Sequence, residues 1–336
     1  MIISASYKTD IATFYGEWFM NRLQAGYCKM VNPYGQQVYR VELTPESVDG
    51  FIFWTKNIGP FLKYLPAIRE QGYPFIVQHT INGYPRELEF RVIDYSHTIE
   101  HMKRLAGEFG SEVAVWRYDP IVISSLTPLE WHRQNFEGLA NGLAGTTDEV
   151  VVSFAQIYKK TKRNMDWAAR KFDFSWAEHE AASYEEIRNL IGDLAQIAQS
   201  YGMQLKICSQ KKFLIPGIVE EARCVDADRL ERISHKPIIG KAKQKGNRKE
   251  CGCFASKDIG EYDTCPHGCV YCYAVQNRVL ALRRFKDHDP QGEFLYPPTN
   301  YVPIEDEGAQ ASPVIPVSTV RKKNGSEQPV QQEELF

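Results

Sequence analysis

Short apolar runs alternate with helical spacing through the first 210 residues of the chain. Six runs rich in Val, Ile and Phe show little polar alternation: Ile2–Ser6, Gly50–Trp54, Phe75–His79, Val113–Arg117, Val150–Phe154 and Gln204–Cys208. They predict strands covered on both faces. Apolar positions at helical spacing predict helices over Phe14–Gln24, Phe61–Glu70, Thr98–Glu108, Leu129–Leu143 and Tyr184–Tyr201. Strands alternating with helices imply parallel pairing and right-handed crossovers, hence an α/β fold. In a parallel barrel the residues just past the strand C-termini form the site. That rule marks a polar rim of Ser6, Lys8, Thr55, Lys56, Asn57, Gln78, Thr80, Arg117, Asp119, Ser153, Gln156 and Ser209. Ordinary loop hydrogen bonding is the alternative at each position.

The pattern changes after Cys208. Residues 211–264 mix helix with a basic, glycine-containing stretch holding Lys236, Lys241, Lys243, Lys245, Arg248 and Lys249, with no acid until Glu250. Such a loop suits a phosphate backbone through counterion release, or is simply solvated. A helix is predicted from about Val275 to Phe285. From about Glu305 the chain is polar and rich in Pro, Ser and Gln, which predicts disorder. The expected organisation is an α/β unit over 1–210, a cysteine-rich module over 211–304 and a tail over 305–336.

Composition narrows the classes. With 336 residues, 43% of them hydrophobic, the chain can bury a full-sized core. A formal charge of −2 means that binding to an anionic polymer must come from a local patch. Eight cysteines are too sparse for a disulfide scaffold, and their clustering favours metal chemistry in a reducing compartment. No leader pattern and no run of about 18 apolar residues is found, so a soluble cytoplasmic protein is expected.

The chemistry concentrates in Cys265-Pro-His-Gly-Cys269-Val-Tyr-Cys272, a C-x3-C-x2-C run. Three thiolates on one loop can hold three corners of a cubane 4Fe–4S cluster, leaving one iron open to an exogenous chelator. Structural zinc wants four closed ligands, usually from two paired knuckles, and is the alternative. The spacing resembles the radical S-adenosylmethionine (radical SAM) enzymes, in which SAM takes the open iron. Six strand–helix units likewise resemble the partial (β/α)6 barrel of that class. The resemblance implies that Cys265, Cys269 and Cys272 ligate the cluster and that Tyr271 packs by the adenine. Lys56, Asn57 and Ser153 then become cofactor contacts by their strand-end positions. A reduced cluster in that class cleaves SAM to a 5′-deoxyadenosyl radical, which implies a flavodoxin- or ferredoxin-type electron donor.

Radical SAM enzymes carry this loop after their first barrel strand, whereas here it follows all six predicted strands, as if the order were permuted. The whole chain resembles an uncharacterised bacterial family of unknown function with a radical-SAM-like cysteine cluster at its C-terminus. The resembling segments are Phe14-Tyr15-Gly16-Glu17-Trp18, Phe53-Trp54-Thr55-Lys56-Asn57, Gly83-Tyr84-Pro85-Arg86-Glu87-Leu88-Glu89, Trp116-Arg117-Tyr118-Asp119-Pro120-Ile121 and Asp258-Ile259-Gly260, with the cysteine loop. More distantly, Cys272-Tyr273-Ala274 and the Asp-Pro-Ile segment look like the spore photoproduct lyase branch, which repairs thymine lesions in DNA.

Cys208, Cys224, Cys251 and Cys253 lie outside the loop and form a candidate second 4Fe–4S site; buried hydrophobic cysteines are the alternative. Cys28 is a candidate hydrogen donor for quenching a radical, or a structural cysteine. Arg117 and Asp119 read as a clamp near SAM or substrate, or as an ion pair across the barrel mouth. The chain ends in Gln332-Glu333-Glu334-Leu335-Phe336, which resembles the peptide that docks bacterial repair proteins on the replication sliding clamp through Gln332, Leu335 and Phe336. Lys241, Lys243 and Lys245 are the candidate DNA contacts. Together these features lead to an expected radical SAM enzyme acting on nucleic acid. The rivals are a radical SAM enzyme for small molecules or peptides, and a non-catalytic iron–sulfur redox or DNA-binding adaptor protein.

Overall fold

The computed structural model describes residues 1–32, 37–177, 182–235, 237–238, 242–246, 250–299 and 301. In chain order the elements begin with β1 (Ile2–Ala5), α1 (Ile11–Phe14), α2 (Gly16–Ala25), β2 (Tyr27–Val31) and β3 (Val38–Glu42). Next come β4 (Gly50–Thr55), α3 (Leu65–Glu70), β5 (Phe75–Thr80), α4 (Tyr95–Phe109) and β6 (Ala114–Ile121). They are followed by α5 (Leu129–Leu143), β7 (Glu149–Phe154), α6 (Lys159–Phe172), α7 (Tyr184–Ser200) and β8 (Gln204–Ile207). The last are β9 (Glu220–Glu221), α8 (Ala227–Ser234), β10 (Ser256–Asp258) and α9 (Arg278–Lys286).

The six predicted strands are all present as β1, β4, β5, β6, β7 and β8, within a residue or so except for β6, which runs four residues further. They lie in one parallel sheet of eight, ordered β10-β1-β4-β5-β6-β7-β8-β9. The predicted α/β class with parallel pairing therefore holds. The predicted count of six needs correction, because β9 and β10 have two and three residues and are too short to register as apolar runs. Among the described residues the ladders leave β9 and β10 as the two edges.

Alternate strand residues enter two different cores. Ile3, Phe51, Phe53, Val77, Trp116, Val150 and Leu205 face the larger core, which α1 to α5, α7 and the hairpin of β2 with β3 cover. Aromatic rings dominate it; Phe19 meets Phe51, Phe53 and Phe61 edge-on at 5.2–5.6 Å. Ile2, Ile52, Ile76, Val115, Val151 and Cys208 point the other way, into a smaller core with Cys224, Cys253 and the α8 residues Ala227 and Leu230. A third cluster joins Cys269, Val270 and Tyr271 to Tyr84 and to Met165 and Ala168 of α6.

Local chemistry fixes the helix ends. Ser183 and Glu186 form a full capping box at the start of α7, and Asp94 and Asp226 cap α4 and α8 by accepting from Ser96 and Arg229 main-chain N–H groups. Gly26 closes α2 at φ 75°, where a side chain is strained. Among the described residues no helix is long and apolar enough to cross a membrane.

Candidate metal centre

The cysteine loop is anchored where β10 meets β1. Ser4 lies level with Asp258 in the parallel register, and the Asp258 carboxylate accepts from Ser6 Oγ (2.9 Å) and from the Tyr7 and Gly260 main-chain N–H groups (both 2.9 Å). Lys8 Nζ stands 3.7 Å away. Burial pushes the Asp258 carboxyl up to about 6, against the pull of Lys8 and these donors. Gly260 is required by space: a Cβ there would sit 2.0 Å from Ser6 Oγ.

Asp10 provides a second anchor. Its carboxylate caps α1 at Thr13 N (2.8 Å), accepts from Lys56 N (2.8 Å) and accepts from His267 Nε2 at 2.8 Å. Burial alone would raise its pKa, but the His267 bond and the two main-chain donors hold it below the usual carboxylate range. One buried side chain thus ties the ends of β1 and β4 to the residue midway between Cys265 and Cys269. Tyr15 adds a bond from its hydroxyl to Thr264 O at 2.6 Å.

The third anchor is a polar network after β4 and β5. Lys56 Nζ pairs with Glu89 Oε1 at 2.7 Å, and the same carboxylate accepts from the Tyr271 hydroxyl and from Asn82 Nδ2 (3.4 Å). Glu89 also forms an isolated antiparallel bridge with Cys269. Burial would lower the Lys56 pKa, but Glu89 and the neighbouring Cys269 and Cys272 raise it, so Lys56 is a buried cation beside two of the cysteines. Tyr271 has its hydroxyl in this network and its ring edge-on to Tyr84 at 5.7 Å.

Cys265, Cys269 and Cys272 are all buried or half-buried and near enough to act on one another. Burial pushes all three thiols up; Cys269 and Cys272 add to the shift at Cys265, while Lys56 opposes it at Cys269 and Cys272. Cys272 Sγ accepts from Ala274 N at 3.3 Å. Three soft donors held together, with a main-chain N–H on a sulfur, fit a bound cluster that displaces the thiol protons. Among the described residues no three His, Cys, Asp or Glu side chains converge as a single metal ion requires.

The remaining candidates divide. Arg117, Asp119 and Ser153 form one network: Arg117 pairs with Asp119, to which Ser153 Oγ also donates. Arg117 further reaches Gln78 Oε1 (3.2 Å) and Cys224 Sγ (3.0 Å). They lie with the second cysteine group, and Asp119 N–H meets Asn82 Oδ1 at 2.9 Å to join the two. Asn57 is engaged in local structure, accepting from Gly59 N and bonding His101 Nδ1. Cys28 is fully buried in the larger core, its thiol pushed up to about 12 by burial, which suits the structural role. Lys243 and Lys245 are exposed beside the strand-like stretch 251–255. Lys241 and the tail residues Gln332, Leu335 and Phe336 lie outside the described residues.

Sequence reasoning assigned no role to Asp10, Asn82, Glu89 or His267. Glu89 ends one of the segments singled out by resemblance, and His267 stands inside the cysteine motif, so position was the available signal. It also gave no weight to α6, whose first turn carries Lys159, Lys160, Lys162 and Arg163. Arg163 bonds Gln276 O (2.7 Å) and Lys160 acts on Cys272, so this basic turn borders the cysteine loop.

A family model described as domain of unknown function DUF1848 matches residues 2–274, from β1 through the whole cysteine loop. The chain belongs to this family. The match agrees with the expected membership of an uncharacterised family. No curated protein and no solved structure matches the chain. The DUF1848 boundary falls just past Cys272, so all the anchors described above lie within the family's own segment.

Proposed function

We propose that this DUF1848 protein is a radical SAM iron–sulfur enzyme built on a partial barrel, and that it acts on nucleic acid. The observation that carries the reading is the position of the cysteine loop. It directly follows a parallel strand, β10, and packs over the C-terminal ends of β1, β4 and β5, where parallel α/β sheets hold their sites. The order that looks permuted along the chain thus becomes the familiar strand-then-loop arrangement in space. When bound, a 4Fe–4S cluster with SAM supplies radical chemistry through one-electron reduction of the sulfonium.

In this reading Cys265, Cys269 and Cys272 hold the cluster and Asp10, through His267, keeps their loop in place. Lys56 offsets thiolate charge, and Asn82 and Glu89, both bonded to the Tyr271 hydroxyl, line the adjoining pocket with Thr80, Tyr84 and Asp94. The basic first turn of α6 and the exposed Lys243 and Lys245 support an anionic, polymeric substrate. An electron donor of flavodoxin or ferredoxin type is part of the proposal, and so is clamp docking by Gln332, Leu335 and Phe336.

The test is electron paramagnetic resonance on anaerobically reconstituted, reduced protein with and without SAM. A cluster signal that shifts on adding SAM, and that is lost in Cys269→Ala, is expected. A signal indifferent to SAM would overturn the enzyme reading in favour of a redox or adaptor protein. For the substrate, binding to a DNA duplex should weaken steeply with salt, with a shallower slope in Lys159→Ala/Lys162→Ala. No DNA binding at low salt would turn the assignment towards a small molecule or peptide.

A further inference from the structure

We propose that Cys208 and Cys224 are a redox-active dithiol in the smaller core, converted to a disulfide by thiol–disulfide exchange that enters at Cys251 and passes through Cys253. The reactant is a small-molecule disulfide, which is reduced to two thiols. The inference does not rest on the radical SAM reading. The four cysteines come from three separated segments: the end of β8, the link from β9 to α8, and the approach to β10.

The deciding distance is the 3.5 Å between Cys224 Sγ and Cys208 Sγ. Thiolates on two corners of a 4Fe–4S cubane stand further apart, so the contact favours a dithiol over the expected second cluster. Two thiols already in van der Waals contact need only close to about 2.0 Å to bond. The main chain holds the pair on both sides. Cys208 N–H donates to Val152 O (2.9 Å), Ala222 N–H donates to Ile207 O (2.9 Å), and Cys224 O accepts from Gln78 Nε2 (3.0 Å). Cysteines kept only as small hydrophobes have no reason to aim their sulfurs at one another.

Both partners are buried, Cys208 at 9% exposed and Cys224 at 2%, so an oxidant needs a way in. Cys251 is half-buried and bonds Cys253, and Cys253 bonds Cys224. The thiols therefore touch in series from the more open end inwards. The Val225 main-chain N–H donates to Cys253 Sγ at 3.4 Å, holding that sulfur beside Cys224. Arg117 donates to Cys224 Sγ at 3.0 Å, which sets a buried cation beside the thiolate that forms there during exchange.

The steps balance. Cys251 attacks the reactant disulfide, forms a mixed disulfide and releases one small thiol. Cys253 attacks the Cys251 sulfur and expels the second small thiol. Cys224 then attacks the Cys253 sulfur, freeing Cys251, and Cys208 attacks the Cys224 sulfur, freeing Cys253. Each attacking thiol gives up a proton and each leaving thiolate takes one. In sum Cys208 and Cys224 lose two electrons and two protons, and the reactant gains them. The hydrogen-bonded series Arg117, Asp119, Asn82 and Tyr271 connects this site to the first cysteine loop.

The experiment treats the full-length chain, purified anaerobically, with oxidised glutathione, alkylates the remaining thiols in denaturant and maps linked peptides by mass spectrometry. Native protein and Cys265→Ala/Cys269→Ala/Cys272→Ala should both show a Cys208–Cys224 link that dithiothreitol reverses. Cys251→Ser should form the link about tenfold more slowly, because the buried pair loses its point of entry. Cys224→Ser should leave Cys208 as a free thiol. Absence of the link at every glutathione concentration, in a chain with unchanged circular dichroism, would overturn the dithiol. An unchanged rate in Cys251→Ser would overturn the relay. About four irons held by the triple variant, with Cys208 and Cys224 protected from glutathione, would overturn the proposal in favour of a second cluster.

Discussion

Replacing Glu89 by glutamine keeps the shape of the network beside the cysteine loop but removes its negative charge. Lys56 is then left as a buried cation, since the Lys56 and Glu89 side chains are only 13% and 5% exposed and Glu89 is its ion-pair partner at 2.7 Å. Breaking one side of a buried pair costs about 3–5 kcal/mol, because the surviving charge is desolvated without compensation. Lys56→Met is expected to cost less, about 1–3 kcal/mol, since Glu89 keeps the Tyr271 and Asn82 donors. In the double variant no charge is stranded, so the two losses should fall short of additive by about 2 kcal/mol. Urea unfolding of the reduced, metal-free chain, followed by tryptophan fluorescence, measures all four corners of the cycle. Additivity within about 0.5 kcal/mol would refute the argument that Lys56 depends on Glu89 for its charge.

His79 is fully buried and pushed down to about 3 by desolvation, and His132 to about 4 for the same reason. The unfolded chain binds a proton at each near pH 6.5, so stability is lost as pH falls from about 6.5 towards 3, by about 5 kcal/mol from His79 alone. Urea midpoints against pH should decline less steeply in His79→Leu than in the native chain; parallel curves would contradict this. Gly260→Ala drives a methyl group into Ser6 Oγ and should destabilise by about 1–3 kcal/mol, read from the urea midpoint. Asp10→Ala removes the α1 cap and the acceptor for Lys56 N and His267, a loss of about 2–4 kcal/mol. It should also lower iron retention during gel filtration, whereas unchanged retention would mean that the loop holds its shape without this anchor.

The long strands were legible because both faces of each are apolar: Phe51, Ile52 and Phe53 go in succession to the larger core, the smaller and the larger again. The hairpin of β2 with β3 was not, because only Cys28, Met30 and Val41 of its residues are deeply buried. Helix α6 escaped notice for the same reason, burying only Thr161, Asn164, Met165 and Ala168 beneath a charged exterior. At the site, chemistry was read from spacing within one loop. What holds the loop was invisible, because Asp10 and His267 are 257 positions apart and Lys56 and Glu89 are brought together only by the crossover from β4 to β5. Cys208, Cys224, Cys251 and Cys253 were grouped by residue type, and their contact across three segments needed the fold.

The pairing of β10 with β1 also bears on the timing of assembly. β1 is synthesised long before its neighbour β10, so it leaves the ribosome with a bare flank and keeps it until residue 258 arrives. An exposed strand flank is open to pairing with another chain, and β1, with all four residues buried in the finished fold, has little charge to discourage it. Arrival of β10 closes that flank and delivers Cys265, Cys269 and Cys272 within the next few residues. Protection from aggregation and completion of the cysteine loop therefore come at the same late step, and a chain cut short before β10 gains neither.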